Sequence, residues 1–346
     1  MTPTYKVTLL LSIVFLASCS GIDKNVQETL DNISQQRRNE LSAFISHYLG
    51  RGNMHDGAKF IVANMSDKYS IISGSPDIYH EYIDSVYEDG TTFNSRKGYD
   101  YKSGFSPSRL SSVNVPDIDF VIVDSLTEHF DNAYSVWETT PWRSLYSKEL
   151  FEKYVLPYRI ADEPLEYGWR KDAYERNSHY LESCKDSGII AACTYIYNNL
   201  DYQTNNLFWG EPLQPYSVNV HYRRGTCSDY AVYTAMVMRA LGIPVSLDFV
   251  PYWGDNNNGH SFNALLMPDG SCLGFNNKDD LNNGLHLSGK VPKVYRKEFE
   301  IQRNIALYKY KDVEYIPPLF AGHNIKDVTG DYDIPLTDIM ISPVMN

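Results

Sequence analysis

Positive charge is in short supply: 31 Lys+Arg stand against 43 Asp+Glu, a formal net charge of −12. Nucleic-acid phosphates and anionic headgroups are held by basic surface, so this balance argues against both as partners recognised by charge alone. Cysteine is scarce and odd in number, with five at Cys19, Cys184, Cys193, Cys227 and Cys272. No CxxC or HxxH pair occurs, so a zinc site from His221, Cys227, His260 and Cys272 lacks the usual ligand spacing. Glycine-rich phosphate loops of the GxGxxG or P-loop type are missing as well. No stretch beyond the N-terminus approaches the roughly 20 apolar residues that span a bilayer, and no internal repeat is present. What remains is 43% hydrophobic and 21% charged, a globular composition with core enough for one large domain or two of typical size. The 28 tyrosines are read as a compositional bias rather than as a site.

The first cysteine has a context of its own. Lys6 precedes the apolar run Val7 to Leu16, too short to cross a membrane but suited to an export signal. The run ends in Leu16-Ala17-Ser18-Cys19, which resembles a bacterial lipobox. That resemblance implies cleavage before Cys19 and a lipid on its sulfur, so that the protein is anchored to a membrane of the cell envelope rather than spanning it.

Residues 1–18 are therefore read as a signal peptide, 19–29 as a tether, and 30–200 as a mainly helical region. Leu30 to Leu49 shows helical spacing, Gly57 to Met65 and Asp77 to Glu88 predict two more helices, and 90–117 reads as a long loop. Ile118 to Leu156 is helical with a break at Pro141-Trp142, and Glu163 to Leu200 is helix-rich. Near Tyr202 the texture changes. Thr226 to Leu241 predicts a compact helix stopped by Gly242 and Pro244, followed by strands at Val245–Phe249, His260–Met267 and Ser271–Phe275. Pro268-Asp269-Gly270 supplies the last turn. A helix followed by an antiparallel meander is an α+β signature, with 201–290 as core and 291–346 as a β-rich extension.

Three segments carry chemistry. Cys227 sits at the first turn of its helix, where unpaired N–H groups and the helix dipole favour a thiolate. Gly225 lets the chain turn tightly into that helix. His260, at the mouth of a strand, is placed to take the thiol proton. A carboxamide or carboxylate beyond the turn could hold the other imidazole nitrogen. A turn centred on Gly270 puts Asn276 on the face of His260, whereas a two-residue Asp269-Gly270 turn favours Asn277 or Asp279. Taken singly, a cysteine early in a helix is a small buried hydrophobe, and a lone histidine a surface or core residue. Asp229 is read as a carboxylate at the helix N-terminus, and Arg223 and Arg224 as a solvated turn. Trp209, Gln214 and Tyr222 are candidate second oxyanion donors.

Gly225-Thr226-Cys227-Ser228-Asp229-Tyr230-Ala231, then Arg239-Ala240-Leu241-Gly242-Ile243-Pro244-Val245, then Gly259-His260-Ser261-Phe262-Asn263-Ala264 resembles the transglutaminase-like superfamily over roughly residues 200–280. Leu156-Pro157-Tyr158-Arg159, Glu163-Pro164-Leu165 and Trp169-Arg170 are similar to large exported transglutaminase-like lipoproteins of Bacteroidota. The resemblance implies a papain-like fold and a Cys-His-Asp triad, with Asn276 standing where Asp is usual and Phe262 where Trp is. It implies a cysteine peptidase or amidase, or an acyltransferase, working on peptide or protein amides through an acyl-enzyme and needing no cofactor. A catalytically silent lipoprotein that binds peptide or glycan is the competing reading. In such relatives a phrase like Asp327 to Tyr332 opens a further β-rich module, which the fourteen residues after Tyr332 are too few to complete. Cys184 and Cys193 could pair only if their helix breaks between them, and Gly188 could break it.

Overall fold

The computed structural model describes residues 21–73, 81, 84–88, 92–94, 96–97, 112–205, 212–287, 289–303, 317 and 322–334. The polar stretch expected as a tether is a helix, α1 (Gly21–Asp31), whose Ile22, Val26 and Leu30 pack inward. Asn32 and Ser34 separate it from α2 (Gln35–His47), so the single helix expected from Leu30 is two. The Ser34 hydroxyl caps α2 by accepting the Arg37 N–H. After α3 (Asn53–Ala63) comes β1 (Tyr69–Ser73). Of the helix expected over Asp77–Glu88, residues 77–80 and 82–83 lie outside the described residues, 81 and 84–86 are helical, and the end is instead the short strand β2 (Tyr87–Glu88), paired with β3 (Thr92–Phe93). Within the expected long loop, β4 (Ser112–Pro116) pairs antiparallel with β1.

Then follow α4 (Asp117–Phe120), α5 (Val123–Thr139) and α6 (Lys148–Tyr154), the chain breaking at Pro141-Trp142 as expected. Helices α7 (Trp169–Cys184) and α8 (Ile189–Asn199) part at Gly188. Cys184 and Cys193 are both buried and both free. A short strand, β5 (Gln203–Thr204), leads to α9 (Tyr216–Tyr222), then β6 (Arg224–Gly225), which pairs parallel with β5.

The helix α10 (Cys227–Ala240) is the axis of the fold. Every residue from Ala231 to Ala240 is buried, as expected of a helix apolar on all sides. Its start is fixed by a capping box. The Thr226 hydroxyl accepts the Asp229 N–H, and the Asp229 carboxylate accepts the Thr226 N–H. Its end is fixed by Gly242 at φ 76°, a left-handed conformation that glycine adopts without strain.

Against α10 lie β7 (Val245–Val250), β8 (His260–Leu266) and β9 (Cys272–Phe275), an antiparallel meander. A one-turn helix, α11 (Asp280–Asn283), follows. The sheet does not end with the expected core. Strands β10 (Tyr295–Lys297) and β11 (Ile325–Asp327) extend it beyond β7, giving the order β11-β10-β7-β8-β9. The boundary expected at 290/291 is therefore not a structural one. Nor is 200/201, because one core runs from Leu30 through Phe130 and Trp137 to Val237, Leu265 and Phe299. Burying a Val, Leu, Ile or Phe side chain contributes about 1.5–3 kcal/mol, so the helical region and the sheet stabilise one another.

Buried charge locks this union. Arg159 grips Asp117 with two bonds of 2.6 Å, and both side chains are nearly inaccessible. Glu163 accepts the N–H groups of Ile160 and Ala161. Arg170 donates to the carbonyls of Val155, Pro157 and Arg239. The last of these is at the C-terminus of α10, where a cation complements the dipole. The Leu156–Arg170 motif thus holds the far end of the cysteine helix.

Candidate active site

Local chemistry puts Cys227 where it is. Gly225 must lack a side chain, since a Cβ there would lie 2.7 Å from the Asp229 Cβ and 2.8 Å from its Oδ2. Close approach, rather than a left-handed backbone, requires the glycine. Asp229 is buried, accepts the Gln214 N–H at 2.8 Å as well as the Thr226 groups, and is a cap rather than an acid poised at a substrate. Cys227 then occupies the first helical position, half-buried and facing a cavity of about 250 Å³.

His260 reaches that cavity from the first residue of β8. The β8–β9 register pairs Leu266 with Cys272 and Asn263 with Phe275, so the turn is centred on Asp269, with Gly270 left-handed at φ 89°. That centre differs by one residue from Gly270, yet it preserves parity. Extended by one pair, it sets Asn276 across from Phe262, diagonal to His260 on the same face. The structure brings the Asn276 Oδ1 to 2.8 Å from His260 Nε2. An amide oxygen only accepts, so Nε2 carries the proton and Nδ1 is left for the thiol. Asn277 and Asp279 are exposed.

Asn276 is itself held through its main chain. The buried Asp280 carboxylate accepts its N–H at 2.7 Å and that of Asn277 at 3.1 Å. Its carbonyl accepts the Tyr197 hydroxyl at 2.9 Å. Trp253 lies parallel to the imidazole, with centroids 6.1 Å apart. Tyr197, Tyr230 and Tyr202 form a stack along the cavity wall, Tyr202 and Tyr230 being 4.7 Å apart and within 5° of parallel.

The electrostatics favour a charged pair. Burial opposes ionisation of Cys227, but hydrogen bonds from His260, the Ser261 N–H and Ser228 outweigh it and hold the thiol below its ordinary value. Burial likewise pulls His260 down, and the hydrogen bond and charge of Cys227, with Asn276, more than offset it. Each shift is the cause of the other. A thiolate beside an imidazolium is a nucleophile with its general acid already loaded.

Other expected residues lie elsewhere. Tyr222 stacks on Tyr87 at 3.7 Å, and Gln214, although buried, is not among the residues lining the cavity. Trp209 and Cys19 lie outside the described residues. Arg223 takes a left-handed φ of 48° at the end of α9, and Arg224 covers the Phe93 ring. Neither faces the cavity. The tyrosine stack, Trp253 and Asp280 carried no motif in the sequence. The exception is Tyr230, which lies within the Gly225–Ala231 motif one turn beyond Cys227 on the same helix.

Residues 180–274 match the transglutaminase-like superfamily. The match takes in Cys227 and His260 and ends two residues before Asn276, and the fold is of the transglutaminase-like, papain type, a cysteine-bearing helix on an antiparallel sheet. Among solved structures the chain is similar to a candidate cysteine protease from Cytophaga hutchinsonii, at 20% identity and a TM-score of 0.23. That alignment covers 35% of this chain and 39% of the other, and at that score it carries no weight here. No curated protein matches.

Proposed function

We propose that this chain is an exported, lipid-anchored cysteine hydrolase or acyltransferase acting on amide bonds of peptides or proteins. The observation that carries the chemistry is the hydrogen-bonded line Cys227–His260–Asn276, closed by the 2.8 Å contact at Nε2. In the forward step the Cys227 thiolate attacks the carbonyl carbon and forms a C–S bond. His260 gives its proton to the leaving nitrogen as the C–N bond breaks, which leaves a thioester. Water or an amine then attacks the thioester while His260 takes back the proton, and the thiolate leaves. Asn276 orients the ring and needs no charge to do so. The lipid anchor and envelope location rest on Leu16-Ala17-Ser18-Cys19.

Iodoacetamide at near-neutral pH, read by mass spectrometry, should label Cys227 faster than a free model thiol, and peptide cleavage or amine incorporation should vanish in Cys227→Ala. Slow labelling together with no cleavage or amine incorporation in either the wild type or Cys227→Ala would leave a binding protein instead. Radiolabelled palmitate should enter the wild-type chain and not Cys19→Ala.

A further inference from the structure

The residue after the nucleophile and the residue after the base are both serines, and they touch. Ser228 Oγ and Ser261 Oγ are 2.9 Å apart and half-buried. Ser228 is at the second position of α10, and Ser261 at the second position of β8. The contact joins the two elements one residue beyond the reacting side chains. Asn263, two residues further along the same face of β8, donates to the Ala231 carbonyl of α10 at 2.8 Å. A spacing of two on the strand is thus met by a spacing of three on the helix, and the first of the two links is a hydroxyl pair.

We infer that Ser228 and Ser261 are positioning residues that set the Cys227–His260 separation and solvate the sulfur when it is ionised. This rests on the reading of Cys227 and His260 as a nucleophile and its base. Each hydroxyl has one proton to give. When the Ser261 O–H donates to Ser228 Oγ, the Ser228 O–H is free to donate to the sulfur, and the Ser261 N–H is a second donor to it. An ionised sulfur can then draw on two donors besides the imidazolium, and both belong to this pair. A neutral thiol accepts hydrogen bonds weakly, so the arrangement favours the charged form. Loss of one hydroxyl removes one donor and loosens the link between helix and strand.

The test is the pH dependence of Cys227 alkylation in the full chain, measured as label on the Cys227 peptide. The wild-type midpoint should lie below that of a free thiol. In Ser228→Ala it should rise by about one unit, the size expected for one hydrogen bond to a charged group, and Ser228→Thr, which keeps the hydroxyl, should restore most of it. Ser261→Ala, which retains the backbone donor, should give a smaller rise in the same direction. A merely structural role would change the unfolding temperature without moving this midpoint. If the wild-type midpoint is low and Ser228→Ala leaves it in place while still folded, the assignment of the serines fails alone. An ordinary wild-type midpoint overturns the ion pair and the serine assignment together. If Ser228→Ala does not fold, Ser261→Ala decides, and an unmoved midpoint there refutes the proposal.

Discussion

The 2.8 Å contact between His260 and Asn276 can be cut without disturbing what holds Asn276 in place. Asp280 and Tyr197 grip that residue through its N–H and C=O, so Asn276→Ala removes the carboxamide and keeps the backbone. A hydrogen bond to a charged group is worth about 1.5–3 kcal/mol. His260 is only half-buried, so solvent replaces part of the loss and the lower end applies. About 1.5 kcal/mol is just over one unit of pKa, or roughly a tenfold change in the charged pair. The sign follows from the structure. His260 is raised by its partners, so removing one lowers its pKa and the pair is lost at lower pH. The assay is the titration of the His260 imidazole followed by NMR across pH, with unfolding followed in parallel. The imidazole midpoint should move about one unit towards acid. Asn276→Asp restores the acceptor and adds a negative charge, so it should move the midpoint back past the wild-type position. A folded Asn276→Ala protein with an unchanged imidazole midpoint refutes the orienting role.

Further outcomes follow from the packing. Gly225→Ala forces a methyl against Asp229 and should cost about 1–3 kcal/mol, seen as a lower urea midpoint; an unchanged midpoint would show that the turn has room to relax. Arg159→Met leaves Asp117 buried and unpaired, which should cost about 3–5 kcal/mol. Arg159→Met with Asp117→Leu should recover much of that, and a double variant no more stable than the single would contradict the pairing argument. Cys193 is fully buried, and burial pushes its thiol up, so iodoacetamide should reach it only in urea. Native labelling at the rate of Cys227 would mean that the helical core opens.

The parts of this molecule written in short-range chemistry were the parts legible in its sequence. Thr226, Asp229 and Gly242 start and stop the cysteine helix by bonds within a few residues. Asn276 was found through hairpin parity, which survives a one-residue error in the turn. Helix α1 was missed because its polar face dominates its composition, and its apolar residues act only once α2 and α3 are present. Strand β4 alternates weakly and is largely exposed, so pairing with β1 decides it rather than pattern. Asp280 and Tyr197 converge on Asn276 from four residues away and from 79 residues away. Such long-range convergence leaves no local mark.

The two outer strands set a lower limit on what can be cut from this protein. Asp248 on β7 is wholly buried, and its carboxylate is neutralised by Arg296 on β10 through two bonds of 2.8 Å, with Tyr332 donating a third of 2.6 Å. A chain ending at residue 290 loses Arg296 and Tyr332 and leaves a buried carboxylate with the Ser246 hydroxyl but no cation. It also bares the outer edge of β7 from Leu247 to Phe249, where β10 is paired, and unpaired N–H and C=O groups on a strand edge are a template for aggregation. The segment 180–274 expressed alone would be insoluble although it contains Cys227 and His260. In this protein the unit recognisable by sequence is smaller than the unit that folds.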